Sequence, residues 1–272
     1  MQSSDCRHIK SVFIYHFDYI SMKKLLFYII VVVLIFSFFV DLTREEQTKS
    51  SHKYISYYTS QDGQTVIVPE EVHSLKDCTF ADYTGELVLN SNSLVENDYS
   101  SDYYGHRPSK TWLRGAKFSK LTIGDNINKI GRSAFYECST LRKVVIGNNI
   151  NTIGTNAFYY CTSLSDVIIP NGVAYIGDWA FAVCTSLESI TLPETTVSIG
   201  FAAFYECQSL KEVYCRAKTP PTGSLYMFDY LADPYRPINC KIYVPASSVE
   251  LYKTAEYWSK YKSQIIPYNF NN

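Results

Sequence analysis

Between Leu121 and Glu212 the apolar positions of the chain return every 23 residues. Four segments align without gaps: LTIGDNINKIGRSAFYECSTLRK (121–143), VVIGNNINTIGTNAFYYCTSLSD (144–166), VIIPNGVAYIGDWAFAVCTSLES (167–189) and ITLPETTVSIGFAAFYECQSLKE (190–212). Five columns recur at that spacing: Ile130/Ile153/Ile176/Ile199, Gly131/Gly154/Gly177/Gly200, Phe135/Phe158/Phe181/Phe204, Cys138/Cys161/Cys184/Cys207 and Leu141/Leu164/Leu187/Leu210. A unit this short leaves its own apolar edge open. Stacked neighbours close it, so the pattern predicts a solenoid whose coils fold together.

Within a coil the elements follow from spacing. Leu141, Val144 and Ile146 fit a short strand with apolar side chains entering a core, and equivalent strands pair about 4.8 Å apart. Asn148-Asn149 and Asn171-Gly172 tolerate left-handed backbone, and Pro170 and Pro193 end the strand. Ile130-Gly131 turns the chain, and Ala134-Phe135 returns a ring to the core. A short helical turn is predicted over Ser133–Tyr136. Alternate strand positions then face outward: Lys120/Thr122, Lys143/Val145, Asp166/Ile168, Ser189/Thr191 and Glu212/Tyr214. Their charges predict a face running from basic to acidic, which either is an ordinary solvated sheet face or orients an elongated partner.

The array has less regular ends. In residues 65–120, Val66-Ile67-Val68-Pro69 parallels Val167-Ile168-Ile169-Pro170, and Phe80 falls in the ring column. Leu87 starts a second irregular coil carrying an insertion at 97–115, whose Tyr103, Tyr104, Arg107 and Trp112 are residue types that anchor interfaces. The same loop equally suits a cap over the core. In residues 213–272 the strand pattern continues as Val213-Tyr214-Cys215 and breaks at Thr219-Pro220-Pro221. Lys241–Pro245 is predicted as a last strand. Ser247-Ser248-Val249-Glu250 has capping-box spacing for a helix through Tyr252, with Trp258 and Tyr261 over the final coil.

The N-terminal part stands apart. Residues 25–40 read LLFYIIVVVLIFSFFV behind Met22-Lys23-Lys24, an export signal or transmembrane signal-anchor with its lysines on the cytoplasmic side. No small-x-small cleavage pattern follows, which favours the anchor. Residues 1–24 form the n-region, with 1–21 an upstream extension before Met22, and the polar stretch 41–64 is a tether.

Charge and cysteine content narrow the function. Lys+Arg 25 against Asp+Glu 26 leaves no basic field for a nucleic acid. The histidines (His8, His16, His52, His73 and His106) lie outside the regular coils, and no catalytic triad, phosphate loop or metal spacing appears. Neither an enzyme nor a cofactor is expected. The cysteine column spans about 14 Å at strand spacing, too long for one zinc ion, and parallel Cβ vectors disfavour disulfides within it. It is expected to pack as a small hydrophobe. Cys215 and Cys240, which flank the terminal loop, are the candidate disulfide of an exported protein.

The pattern of strand, Ile-Gly, Ala-Phe, a Cys three residues on, then Leu resembles the BspA-like class of leucine-rich repeats. Val213-Tyr214-Cys215, Thr219-Pro220-Pro221 and IYVPASSVELYKTAEYWSKY (242–261) are similar to the C-terminal cap of bacterial members. The resemblance implies a leucine-rich repeat solenoid of stacked short β-strands, turns and short helical turns with a small helical cap. It also implies an exported bacterial surface protein, membrane-anchored or secreted, that adheres to host matrix or other surface proteins. A glycan-binding accessory of a polysaccharide-uptake system is the alternative. The scaffold names no ligand, because binding lies in the exposed columns.

Overall fold

The computed structural model describes residues 58–59, 64–68, 83–90, 113, 115–230 and 240–270, all within the compact unit Ser50–Asn272. In chain order the strands are β1 (Tyr58–Thr59), β2 (Thr65–Val68), β3 (Glu86–Leu89), β4 (Lys120–Ile123), β5 (Lys129–Ile130), β6 (Lys143–Val145) and β7 (Thr152–Ile153). There follow β8 (Asp166–Ile168), β9 (Tyr175–Ile176), β10 (Ser189–Leu192), β11 (Ser198–Ile199), β12 (Glu212–Cys215), β13 (Lys241–Pro245) and β14 (Ile265–Tyr268), with helix α1 (Val249–Thr254) between the last two.

Each regular coil lays one strand on a first wall and two residues on a second. The first wall runs β1-β2-β3-β4-β6-β8 and then β10-β12-β13-β14; the second runs β11-β9-β7-β5. All pairings are parallel except β1 with β2. Register keeps the core columns aligned: Val66, Leu87, Leu121, Val144 and Val167 lie opposite one another in turn. The irregular coils before Leu121 therefore stack in the same phase as the regular ones.

The first wall is interrupted between β8 and β10. At three other junctions the residue after the strand closes the ladder: Asn90 N–H donates to Val68 O, Gly124 to Leu89 O and Arg216 to Leu192 O at 2.8–3.0 Å. Pro193 holds that place after β10 and has no N–H to give, which removes one ladder bond at the break; Pro170 lacks the same bond one coil earlier, where β6 and β8 still pair. Val167 and Ile169 are only partly buried at the break, unlike Val144 and Leu192. The second wall and the ring column pass through it unbroken. Phe135, Phe158, Phe181, Phe204 and Phe228 stack in sequence, centroids 5.1–5.6 Å apart and planes within 16°.

The segment returning the ring to the core is a run of linked turns, not the predicted helical turn. In the second regular coil Ala157, Tyr159 and Cys161 N–H groups donate back to Gly154, Asn156 and Phe158 carbonyls, while Asn156, Phe158 and Tyr160 donate forward to Asp178, Ala180 and Ala182 of the next coil. Alternate peptides thus close the turn and join the coils. The path needs left-handed residues at both ends, with φ of 57° at Asn156 and 62° at Tyr160, and the other regular coils repeat this. Asn148, Asn149, Asn171 and Gly172, which tolerate left-handed backbone, do not use it here.

The cysteine column is buried, and each thiol has a backbone acceptor. Cys161, Cys184 and Cys207 Sγ donate to the carbonyls of Phe135, Phe158 and Phe181, one coil back, at 3.2–3.4 Å. Cys138 donates to Leu113 O at 3.0 Å. The expected Cys215–Cys240 disulfide is corrected: both cysteines are free and buried. Because β12 and β13 pair with Glu212 opposite Lys241 and Tyr214 opposite Tyr243, Cys215 and Cys240 lie at opposite ends of the pair. An offset of about four residues, ~13 Å at strand rise, exceeds the disulfide window. Cys215 Sγ instead meets Tyr252 Oη at 3.1 Å.

The C-terminal segment closes the open end. Helix α1 follows a 3-10 turn at Ala246–Ser248 and has no side-chain cap, so the capping-box spacing is not used as one. Trp258 is fully buried, its indole N–H donating to Pro221 O at 2.7 Å, and Trp258 and Tyr261 pack on Phe228. Strand β14 adds an edge that sequence reasoning did not foresee.

Candidate recognition surface

The outward side of the first wall gathers most of the expected binding positions. One row reads Glu86, Lys120, Lys143, Asp166 in register, and the next reads Val88, Thr122, Val145, Ile168. The charges of the first row pair along it. Lys120 Nζ lies 2.8 Å from Glu86 and Lys143 Nζ 2.6 Å from Asp166. Thr122 Oγ1 also donates to Glu86 at 2.8 Å. Burial works to raise the Glu86 carboxyl, but the bonds from Lys120 and Thr122 outweigh it and hold it below its ordinary value. The expected basic-to-acidic gradient is therefore cancelled where it should be most basic. The row beside these ion pairs is apolar except for Thr122, and Ile168 is 49% exposed.

Beyond the break, Ser189 pairs in register with Glu212 and Thr191 with Tyr214. Tyr214 stacks on Tyr243 (4.7 Å, 11°), and Tyr268 meets both edge-on at 5.5 Å. Glu212 accepts from both stacked hydroxyls, from Tyr214 at 2.9 Å and Tyr243 at 3.4 Å. Burial, then the bond to Glu212, pushes the Tyr214 hydroxyl up to about 12. The structure thus divides the ten predicted strand positions into an apolar, charge-paired half and a tyrosine half. Tyr243 and Tyr268 join the second half, and sequence reasoning did not single them out. Tyr103, Tyr104, Arg107 and Trp112 lie outside the described residues, as do residues 25–40.

A second surface was also missed. On the turn side of the coils Trp179 contacts Tyr159, Phe201 and Tyr205 at 5.4–6.3 Å, and Phe201 and Tyr205 continue to Tyr226. The available signal was the column Tyr136/Tyr159/Ala182/Tyr205, which runs beside the ring column at the same period.

Among the described residues no group of three or more His, Cys, Asp or Glu is placed to hold a metal. The column thiols are held protonated by burial, Cys138 and Cys207 up to about 12, which leaves no thiolate nucleophile there. No described helix is long and apolar enough to cross a membrane.

Residues 109–230 match, in six copies, the family described as "BspA type Leucine rich repeat region". No curated protein matches the chain. Similar solved structures include a leucine-rich repeat protein of T. pallidum, at 22% identity and TM-score 0.40, over 61% of this chain and 71% of that one. Another is a leucine-rich repeat protein of Eubacterium ventriosum, at 22% identity and TM-score 0.46, over 74% of this chain. The matched part spans only 44% of that protein. A leucine rich cell surface protein of Faecalibacterium prausnitzii matches at 20% identity and TM-score 0.35, over 76% of this chain and 53% of its own. The stacked coils, their interlocked turns and this family match agree: residues 109–230 are a leucine-rich repeat domain of the BspA type.

Proposed function

We propose that the protein is a non-catalytic recognition module of the cell surface that binds a protein partner, a host matrix or other surface protein, across the outward face of its first wall. Leucine-rich repeat solenoids are generally used for such contacts. The observation that carries the reading is the row Val88, Thr122, Val145, Ile168. Parallel sheets are ordinarily covered on both faces, yet this one shows apolar side chains on its outer face, with Ile168 half exposed. The neighbouring charges are already paired with each other. A partner therefore gains apolar burial there without stranding a charge. Residues 25–40 would carry the chain out of the cytoplasm and leave it in the envelope, anchored or released.

The test is binding of the full chain to a panel of purified matrix and surface proteins, beside a V145D/I168D double variant. Both side chains point outward, so the variant should keep its thermal midpoint and lose at least tenfold in affinity for the partner found. Full affinity in the variant would remove the first wall from the interface. The stacked Tyr214 and Tyr243 favour a second reading, a glycan lying on an aromatic platform. Glycan-array binding lost in Y214A/Y243A, with no protein partner, would select it.

A further inference from the structure

The turn side carries a feature that neither the fold nor the first wall requires. From Tyr159 through Trp179 and Tyr205 to Tyr226, aromatic rings form a continuous strip across four coils. Core packing does not account for it, because the inward ring column is the separate stack of phenylalanines. Tyr226 remains 39% exposed, and Tyr160, beside Tyr159, 46%. Within the coils that carry the strip the turn segments bear charge of one sign, and Lys260 reaches the strip from the cap. The turn segments 154–161, 177–184, 200–207 and 223–230 contain Asp178, Glu206 and Asp229 and no lysine or arginine.

The C-terminal cap shows how such a strip takes a cation. Lys260 places its ammonium 5.4 Å over the Tyr226 ring and 5.8 Å over the Tyr261 ring, ion-paired with the buried Asp229. Ring face plus carboxylate is the recognition unit for a cation. The two preceding coils repeat the combination in sequence, one with Tyr205 next to Glu206 and the other with Trp179 next to Asp178. From Tyr159 to Tyr226 the successive rings meet at 60–90°, whereas Tyr159 stacks on Tyr136 at 18°. They offer separate faces and edges rather than the flat, coplanar platform on which a sugar ring stacks.

We infer that the strip Tyr159–Trp179–Tyr205–Tyr226 is a second docking surface, and that its occupant is an extended basic peptide segment whose arginine or lysine side chains seat over the rings beside Asp178 and Glu206. Its length suits that occupant. Three coil steps of about 4.8 Å span ~14 Å, which an extended chain covers in about four residues at 3.3 Å each. A whole-protein field does not supply the attraction, since the chain's net charge is −1. The recognition is local.

The experiment titrates the full chain with a hexa-arginine peptide by calorimetry at low salt, beside a hexa-citrulline peptide of the same shape without charge. Arginine binding without citrulline binding is expected. W179A and, separately, D178N/E206Q should each weaken it at least tenfold. Asp178 now accepts the Phe201 N–H at 2.7 Å, and the amide that replaces its carboxylate keeps an oxygen for that bond. The second variant therefore retains the fold if the first does not. V145D/I168D should bind the peptide as the parent does, which separates this surface from the first wall. Absence of arginine binding, equal binding of citrulline, or unchanged affinity in D178N/E206Q would overturn the proposal. A neutral oligosaccharide that binds and is lost in W179A would overturn it in favour of a glycan.

Discussion

The thiol of Cys161 donates to the carbonyl oxygen of Phe135, one coil back, at 3.3 Å. The same link recurs between Cys184 and Phe158 and between Cys207 and Phe181. It explains a cysteine column where alanine or valine would seem to serve. The thiol is small and apolar enough for the core, yet it gives a buried carbonyl a donor. Cys161→Ala loses both the donor and a sulfur's volume, so we expect a loss of about 1–3 kcal/mol in denaturant unfolding. Cys161→Val should recover none of the donor part. A loss no larger than a few tenths would show that the link carries no stability.

The buried thiols and hydroxyls also set an alkaline limit. Burial lifts Cys138, Cys207 and Cys240 to about 12 and Cys215 to about 11, from an ordinary value of 9.0. Above pH 9 the unfolded chain has released these protons and the folded chain still holds them. Stability is therefore level below about pH 9 and falls as pH rises from there towards about 12, by roughly 1.4 kcal/mol per pH unit for each group. Thermal midpoints measured across that window should decline, and C138A/C207A should decline less steeply. A flat profile to pH 11 would contradict the burial of these groups.

Gly154 permits close stacking rather than an unusual dihedral. A Cβ there would stand 2.7 Å from Ile130 O and 2.8 Å from the carbonyl carbon of Gly131, both backbone atoms of the preceding coil. Neither can step aside without parting the coils. Gly154→Ala is expected to cost about 3 kcal/mol by the overpacking route, measured as a shift in denaturant midpoint with unchanged slope. A neutral result would mean that the coils separate freely at the Ile-Gly turn.

How far these features could be read beforehand varies with their physics. The ring and thiol columns were legible because burial forces one side chain at one phase in every coil. Phe228 belongs to the same stack but comes 24 residues after Phe204, behind Thr219-Pro220-Pro221, so a strict period passes over it. Strand β14 contains Pro267, which reads as a strand breaker but is tolerated at the sheet edge it occupies. The strand-face positions were legible as outward by alternation. Their electrostatics were not, because the Glu86–Lys120 partnership joins residues 34 apart across an irregular coil. The aromatic strip needed the turn geometry itself. Phe158 and Tyr159 are neighbours in sequence, yet between the left-handed residues at 156 and 160 the first ring is fully buried and the second only partly.

Trp258 is the cap's anchor to the last coil. Its ring is fully buried against Phe228 and Tyr252, and its N–H satisfies Pro221 O. Trp258→Phe keeps an aromatic ring but leaves that buried carbonyl without a donor and a small void beside it. We expect a loss of about 2–4 kcal/mol. Hydrogen exchange should show the loss first in β13 and β14, whose edge the cap holds, and later in the central coils. Uniform loosening of every coil would argue that the cap and the repeats unfold as one.

Val183 carries a strain that the repeat imposes. The column Glu137, Tyr160, Val183, Glu206 has φ of 59–62° in each of the four regular coils, where the linked turns reverse ahead of the following cysteine. Left-handed backbone costs an L-residue about 1–2 kcal/mol, and a β-branched side chain is the least suited to it. The Val183 N–H donates to Tyr205 O at 2.7 Å, so the conformation is held by the next coil and not chosen by the residue. Asparagine tolerates this region best after glycine and leaves that bond in place. Val183→Asn is therefore expected to stabilise the fold by about 1 kcal/mol, a rise of roughly 2–4 °C in thermal midpoint for a domain of this size. Val183→Gly should gain less, since glycine also enlarges the freedom of the unfolded chain. The exposed Val197, which has no positive φ, is the control: Val197→Asn should give no gain. If Val183→Asn lowers the midpoint, apolar contact at this half-buried position outweighs the backbone strain.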